Sequence, residues 1–113
     1  MAEFTKISKV SDIPKGEMMG FTVSGKQILV ANFEGKFYAV DAICSHSFGF
    51  LPKGKLEDHI VTCPVHKAQF DVISGKVVKD VNPLVRLSTG GRGASNLNSY
   101  ETKVEGEDIF VKV

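Results

Sequence analysis

Residues 44–71 read CSHSFGFLPKGKLEDHIVTCPVHKAQFD, and they hold both cysteines and all three histidines of a 113-residue chain. Two short clusters stand out: Cys44-Ser45-His46 and Cys63-Pro64-Val65-His66, with 16 residues between His46 and Cys63. Each offers one thiolate and one imidazole, so two loops brought side by side present a complete set of four soft or borderline ligands. Two metals suit such a set. A single zinc ion takes four ligands tetrahedrally, but structural zinc sites usually pair like with like, as C-x₂₋₄-C and H-x₃₋₅-H. The mixed pairs here fit a two-iron, two-sulfide cluster better: with the cysteines on one iron and the histidines on the other, each loop grips both irons.

Outward from this stretch, short blocks of alternating apolar and polar residues, rich in β-branched and aromatic side chains, are bounded by glycine, asparagine or aspartate. That period of two predicts an antiparallel all-β protein. Strands are expected at 4–8, 20–24, 26–32, 36–41, 58–62, 68–72, 76–79, 100–104 and 108–113. The segments NFEGKF, VISGKV and VEGED read as hairpin turns, where glycine supplies a positive φ. Little helix is expected: KVSDIPKGEM has room for one short turn, with Ser11 placed to cap it and Pro14 to limit it.

The totals bound the function. A length of 113 residues predicts one domain, 1–113, with no room for a separate catalytic domain. A formal charge of +1 lacks the basic excess of a nucleic-acid binder, so no nucleic-acid partner is expected. Apolar runs such as Ile28 to Ala31 fall far short of the roughly 20 residues of a membrane span, and MAEFTKISK has no apolar export core. A cytoplasmic protein is therefore expected, in which two lone cysteines serve a metal rather than a disulfide. The segment LSTGGRGASN at 87–96 lacks a phosphate-loop pattern and reads as a surface insertion with a possible role in partner contact.

The pattern C-x-H-x₁₆-C-x₂-H resembles the soluble Rieske-type [2Fe-2S] ferredoxins. Leu51 and Gly54 match C-x-H-x₄-L-x₂-G, Pro64 matches C-P-x-H, and Phe70-Asp71 with Ser74-Gly75 matches H-x₃-F-D-x₂-[ST]-G. Asn82-Pro83-Leu84 resembles the third loop of that family, which covers the cluster, and YETKVEGEDIFVKV its terminal hairpin. The resemblance implies an antiparallel β sandwich or barrel with a small cluster-binding β subdomain at about 42–84. It implies one [2Fe-2S] cluster, with Cys44 and Cys63 on the buried iron and His46 and His66 on the outer one. With every coordination position filled, such a cluster has no place for substrate and relays single electrons. The implied function is a low-potential carrier between a reductase and an oxygenase or other redox enzyme, its partners docking near His46 and His66. A small subunit of a larger reductase complex is the second reading, a structural zinc module the third.

Departures from the pattern refine this. Gly49 and Val65 stand where the Rieske proteins of membrane complexes carry an additional cysteine pair, and Ala68 where those proteins place a serine that donates to a sulfide. Fewer hydrogen bonds to the cluster lower its potential. Soluble members often carry glycine where this chain has Ser47, Lys67 and Ala68. Lys67 is expected to lie solvated, the alternatives being that its charge favours the reduced, more negative cluster or meets an acidic partner. Phe48 and Phe50 are expected to share a face, as an apolar docking rim or as packing for the loop. Leu51 and Phe70 are expected in the core, and His59, outside both spacings, to face solvent at the start of a strand.

Overall fold

Chain reversals set the architecture of the computed structural model, which describes residues 4–44, 49–65, 67–79 and 96–113. Ser24-Gly25 turns β2 (Met18–Val23) into β3 (Lys26–Phe33), and Glu34-Gly35 turns β3 into β4 (Lys36–Asp41). All four turn residues have positive φ, from 50° to 88°. That is the requirement of a two-residue type I′ hairpin, whose twist matches that of the strands it joins. At the other end of the chain β9 (Ser99–Glu105) and β10 (Asp108–Lys112) form the expected terminal hairpin around Gly106, φ +61°.

The two hairpins join where β4 pairs with β9, Ala39 opposite Tyr100 and Val40 opposite Ser99. With β1 (Phe4–Lys9) on β10, the order is β1-β10-β9-β4-β3-β2, a nearly closed sheet whose edge strands β1 and β2 flank one cleft. A second sheet of four short strands follows chain order: β5 (Lys55–Glu57), β6 (Ile60–Thr62), β7 (Gln69–Asp71) and β8 (Val77–Lys79). The antiparallel all-β class is as expected, with the small sheet as the smaller subdomain.

Strand alternation divides the core in two. From β3 and β4, Ile28, Val30, Phe37 and Ala39 point into the large sheet's interior with Ile13, Val23, Ile109 and Val111. Their neighbours Leu29, Ala31, Val40 and Ala42 point the other way, into a second cluster with Val61, Phe70 and Val72 of the small sheet. Both faces of β3 and β4 are thus covered, which explains the unbroken apolar run Ile28 to Ala31. The one buried polar side chain among the described residues, Asn32, is satisfied: its Nδ2 donates to the Ile13 carbonyl at 2.8 Å, and its Oδ1 accepts from Gly35 N–H at 2.9 Å.

Several expectations need correction. Strand β5 was not predicted, because Lys55–Glu57 is three residues long with one apolar side chain. Strand β6 begins at Ile60 rather than 58, since Asp58 has φ +54° and belongs to the turn. Strand β2 begins at Met18, two residues before Gly20. Ser11 does not cap the 3₁₀ turn Val10–Asp12; the Asp12 carboxylate does, accepting from Lys9 N–H at 2.9 Å. No helix among the described residues is long and apolar enough to cross a membrane.

Candidate metal centre

Each cysteine opens a loop closed by its own backbone. Past the end of β4, Cys44 N–H donates to the Gly49 carbonyl at 2.8 Å. Past the end of β6, Cys63 N–H donates to the Ala68 carbonyl, also at 2.8 Å. Both bonds span five residues, so the loops are equal in closure although their sequences differ. A bridge between Ile43 and Phe50 extends the first loop as a hairpin, and pairing of β6 with β7 extends the second. Lys67 N–H also donates to the Cys63 carbonyl at 3.1 Å, with Lys67 held at φ +65°. That left-handed conformation strains any side chain with a Cβ and is one that glycine adopts freely.

Both cysteine side chains are fully buried and belong to the cluster shared by the two sheets. Sequence-distant sulfurs are thereby brought to one apolar region. His46, His66 and Phe48 lie outside the described residues, as do Asn82-Pro83-Leu84 and almost all of the 87–96 segment.

The flanking matches now have physical reasons. Leu51 and Phe70 are fully buried against the cysteines' cluster. Gly54 lies against β6 so closely that a Cβ on it would collide with the Thr62 carbonyl, one residue before Cys63. Gly75, φ +80°, accepts from Leu97 N–H at 2.7 Å, and a Cβ there would strike the Leu97 carbonyl. Gly54 lets the chain entering β5 approach the end of β6, and Gly75 lets the turn between β7 and β8 approach the chain where it returns at Leu97.

Phe50 is a packing residue: its ring lies over Gly20, where an added Cβ would come within 2.8 Å of Cζ. This fixes loop one to β2 and explains a glycine in mid-strand. The start of that loop is also clasped. Asp41, the last residue of β4, accepts from Tyr100 Oη at 2.6 Å and from Asn98 N–H at 2.8 Å. Burial, together with this bond to a carboxylate and the carboxylate's charge, pushes the Tyr100 hydroxyl up to about 12.

His59 sits in the turn before β6 rather than in the strand, and it is only partly solvent-facing. Its ring meets the Phe33 ring edge-on at 5.3 Å, and its Nδ1, shielded from water, lies 3.4 Å from Asp71 Oδ1 without hydrogen-bond alignment. It braces the small sheet against the β3–β4 hairpin.

Residues 3–101 match the family model for the Rieske [2Fe-2S] domain. The chain belongs to that family. The ferredoxin component of biphenyl 2,3-dioxygenase from Rhodococcus jostii (strain RHA1) is 37% identical over 107 residues, 95% of this chain and 90% of that protein. The ferredoxin component of the naphthalene 1,2-dioxygenase system of Pseudomonas aeruginosa is 31% identical over 100 residues, 88% of this chain and 86% of that one. The fold is that of the ferredoxin of carbazole 1,9a-dioxygenase from Nocardioides aromaticivorans IC177, with a TM-score of 0.81 at 23% identity over 96% of this chain and 95% of that one.

Family membership implies a single [2Fe-2S] cluster and sets aside the zinc reading. The described residues fit that cofactor. Two buried sulfurs head two loops of equal closure within one apolar cluster, a donor set and setting that suit a thiolate-bound cluster.

Proposed function

We propose that this chain is a one-electron carrier, a single Rieske domain over residues 1–113 that passes electrons from a reductase to an oxygenase. Cys44 and Cys63 hold one iron of the cluster; His46 and His66 hold the other. The cluster supplies reversible one-electron chemistry with no open coordination position, so the protein carries charge without transforming a substrate. The chain's own residues exclude water through Leu51, Phe70 and Ala68, hold the loops with the Gly49 and Ala68 carbonyls, and fix loop one to β4 through the Asp41 clasp.

The observation that carries this reading is the pair of loops, each headed by a buried cysteine and each closed five residues later. Similarity to ferredoxin components of dioxygenase systems, over nearly the whole length of both chains, supports the choice of an oxygenase as acceptor. An ordinary composition, with the only two cysteines assigned to iron, supports a cytoplasmic address. The potential lies toward the low part of the Rieske range of about −150 to +300 mV, since Ala68 offers no hydroxyl to a sulfide. The test is the visible and electron-paramagnetic-resonance spectrum of purified protein before and after dithionite, with iron and acid-labile sulfide analysis. A Rieske signal on reduction is expected; colourless protein lacking inorganic sulfide would overturn the proposal.

A further inference from the structure

The outer face of the small sheet carries an ordered row of charge. Cross-strand pairing places Lys55 opposite Thr62, Thr62 opposite Gln69, and Gln69 opposite Lys79, so four residues from four strands form one line across the sheet. The centre of the line is a hydrogen-bonded pair, Gln69 Nε2 donating to Thr62 Oγ1 at 3.1 Å, and each end is a lysine. Alternation sends Val61 and Phe70 into the core, leaving this row facing solvent.

The next position along the ladder is the Cys63–Ala68 pair that closes the second cysteine loop. The row is therefore adjacent to the candidate centre. Lys53 and Lys67 join it around a groove of about 430 Å³ that opens onto Cys63 and Pro64. All four lysines are exposed. Among the described residues lining the groove only Glu57 opposes them, leaving these residues a formal +3, whereas the whole chain carries +1. Elsewhere the balance is negative.

Charge also changes along the sheet. Lys55, Lys67 and Lys79 lie toward the cysteine loop, while Glu57, Asp58 and Asp71 occupy the opposite end, offset there by Lys76 alone among the described lysines of the sheet. Such a gradient orients an incoming charged protein as well as attracting it. Beside the lysines, Pro64 and Val65 are exposed at the tip of loop two, Val65 by 50%. A small apolar centre with a charged rim is the anatomy of a transient interface.

We propose that this lysine groove docks an acidic patch on the redox protein with which the chain exchanges electrons. The inference rests on the carrier reading and adds to it the side of approach and the chemistry of the partner. It also gives Lys67 a role: the residue keeps a strained left-handed backbone where glycine rests easily, and its charge completes the rim.

The test uses reduced holoprotein and two one-electron oxidants of opposite charge, followed by stopped flow. Hexacyanoferrate(III) takes one electron to become hexacyanoferrate(II); hexaammineruthenium(III) takes one to become hexaammineruthenium(II). At low ionic strength the variant K53Q/K55Q/K67G/K79Q should react about tenfold more slowly than the native protein with the anion and no more slowly with the cation, the difference vanishing in high salt. Poly-L-glutamate should slow the native reaction and leave the variant's unchanged. The variant K9Q/K15Q/K36Q, altered at lysines outside the groove, should behave as native.

Equal anion rates in native and groove variants, each with an intact Rieske spectrum, would overturn the docking surface while leaving the carrier reading standing. Inhibition by a single-stranded oligonucleotide without inhibition by poly-L-glutamate would overturn the acidic protein as occupant. The single variants K55Q and K79Q, at solvent-facing positions, give the same sign with smaller effect and guard against loss of fold in the quadruple variant.

Discussion

The large sheet and the small sheet solve different problems. The six-stranded sheet has its own apolar interior, two-residue hairpins and long registers, up to six consecutive pairs between β2 and β3. The four-stranded sheet has strands of three residues, and its apolar side chains Val61, Phe70 and Val72 are buried only by leaning on the back of β3 and β4. Three residues of strand cannot support a sheet alone. Scaffold and site are thus physically distinct: one stands on hydrophobic burial, the other borrows a core and, on the ligand assignment proposed above, is completed by the cluster.

The strongest way to break that comparison is to remove the metal's grip. Cys44→Ser or Cys63→Ser should abolish the visible spectrum entirely. In hydrogen exchange, amides of β5–β8 should lose protection while those of β2–β4 keep theirs, because metal-binding free energy is also folding free energy of the small sheet. Uniform loss of protection across both sheets would show that they fold as one unit.

Gly54→Ala comes next. Its Cβ would meet the Thr62 backbone, which has no flexible end to move, so a cost of about 3 kcal/mol is expected together with weakened cluster retention. Val30→Ala hollows the other core and should cost about 2 kcal/mol in urea unfolding while leaving the reduction potential as it was. A shift in potential from Val30→Ala would blur the distinction between scaffold and site.

The Tyr100 clasp gives a smaller, pH-dependent effect. Its hydroxyl is raised to about 12 in the folded chain against 10.0 ordinarily. The native state therefore holds a proton that the unfolded chain releases between these values. Its contribution is complete below pH 10 and disappears as pH rises through 12. Urea midpoints measured from pH 8 to 12 should fall more steeply for the native protein than for Tyr100→Phe; parallel curves would contradict the assignment. Smallest is Lys67→Gly, which relieves the left-handed backbone at φ +65° and should raise stability by about 1 kcal/mol in the holoprotein.

The large sheet was legible in the sequence because its strands alternate over many residues and its turns carry glycine, as in Phe33-Glu34-Gly35-Lys36. The small sheet was only partly so. Lys55–Glu57 has a single apolar residue, too little to show a period, and its strand character comes from pairing with β6. The apolar cluster of Cys44 and Cys63 was foreshadowed by spacing and by the flanking Leu51, Gly54, Phe70 and Gly75, each tied to a collision or a buried contact. The roles of the Gly49 and Ala68 carbonyls, and the line from Lys55 to Lys79, were hidden. They depend on register between strands, which no single stretch of sequence records. Phe50 shows the same limit: its partner is Gly20, thirty residues away.

The wall formed by β3 and β4, covered on both faces, feeds directly into the first cysteine loop through Asp41 and Ala42. A charge carrier works fastest when gaining or losing an electron shifts its nuclei least. The segment from Asp41 to Cys44, rooted in a close-packed, incompressible wall, has little freedom to rearrange between oxidation states. The doubly covered strands thereby favour a small reorganisation energy, and so make the speed of exchange a property of the packing behind the loop as well as of the groups within it.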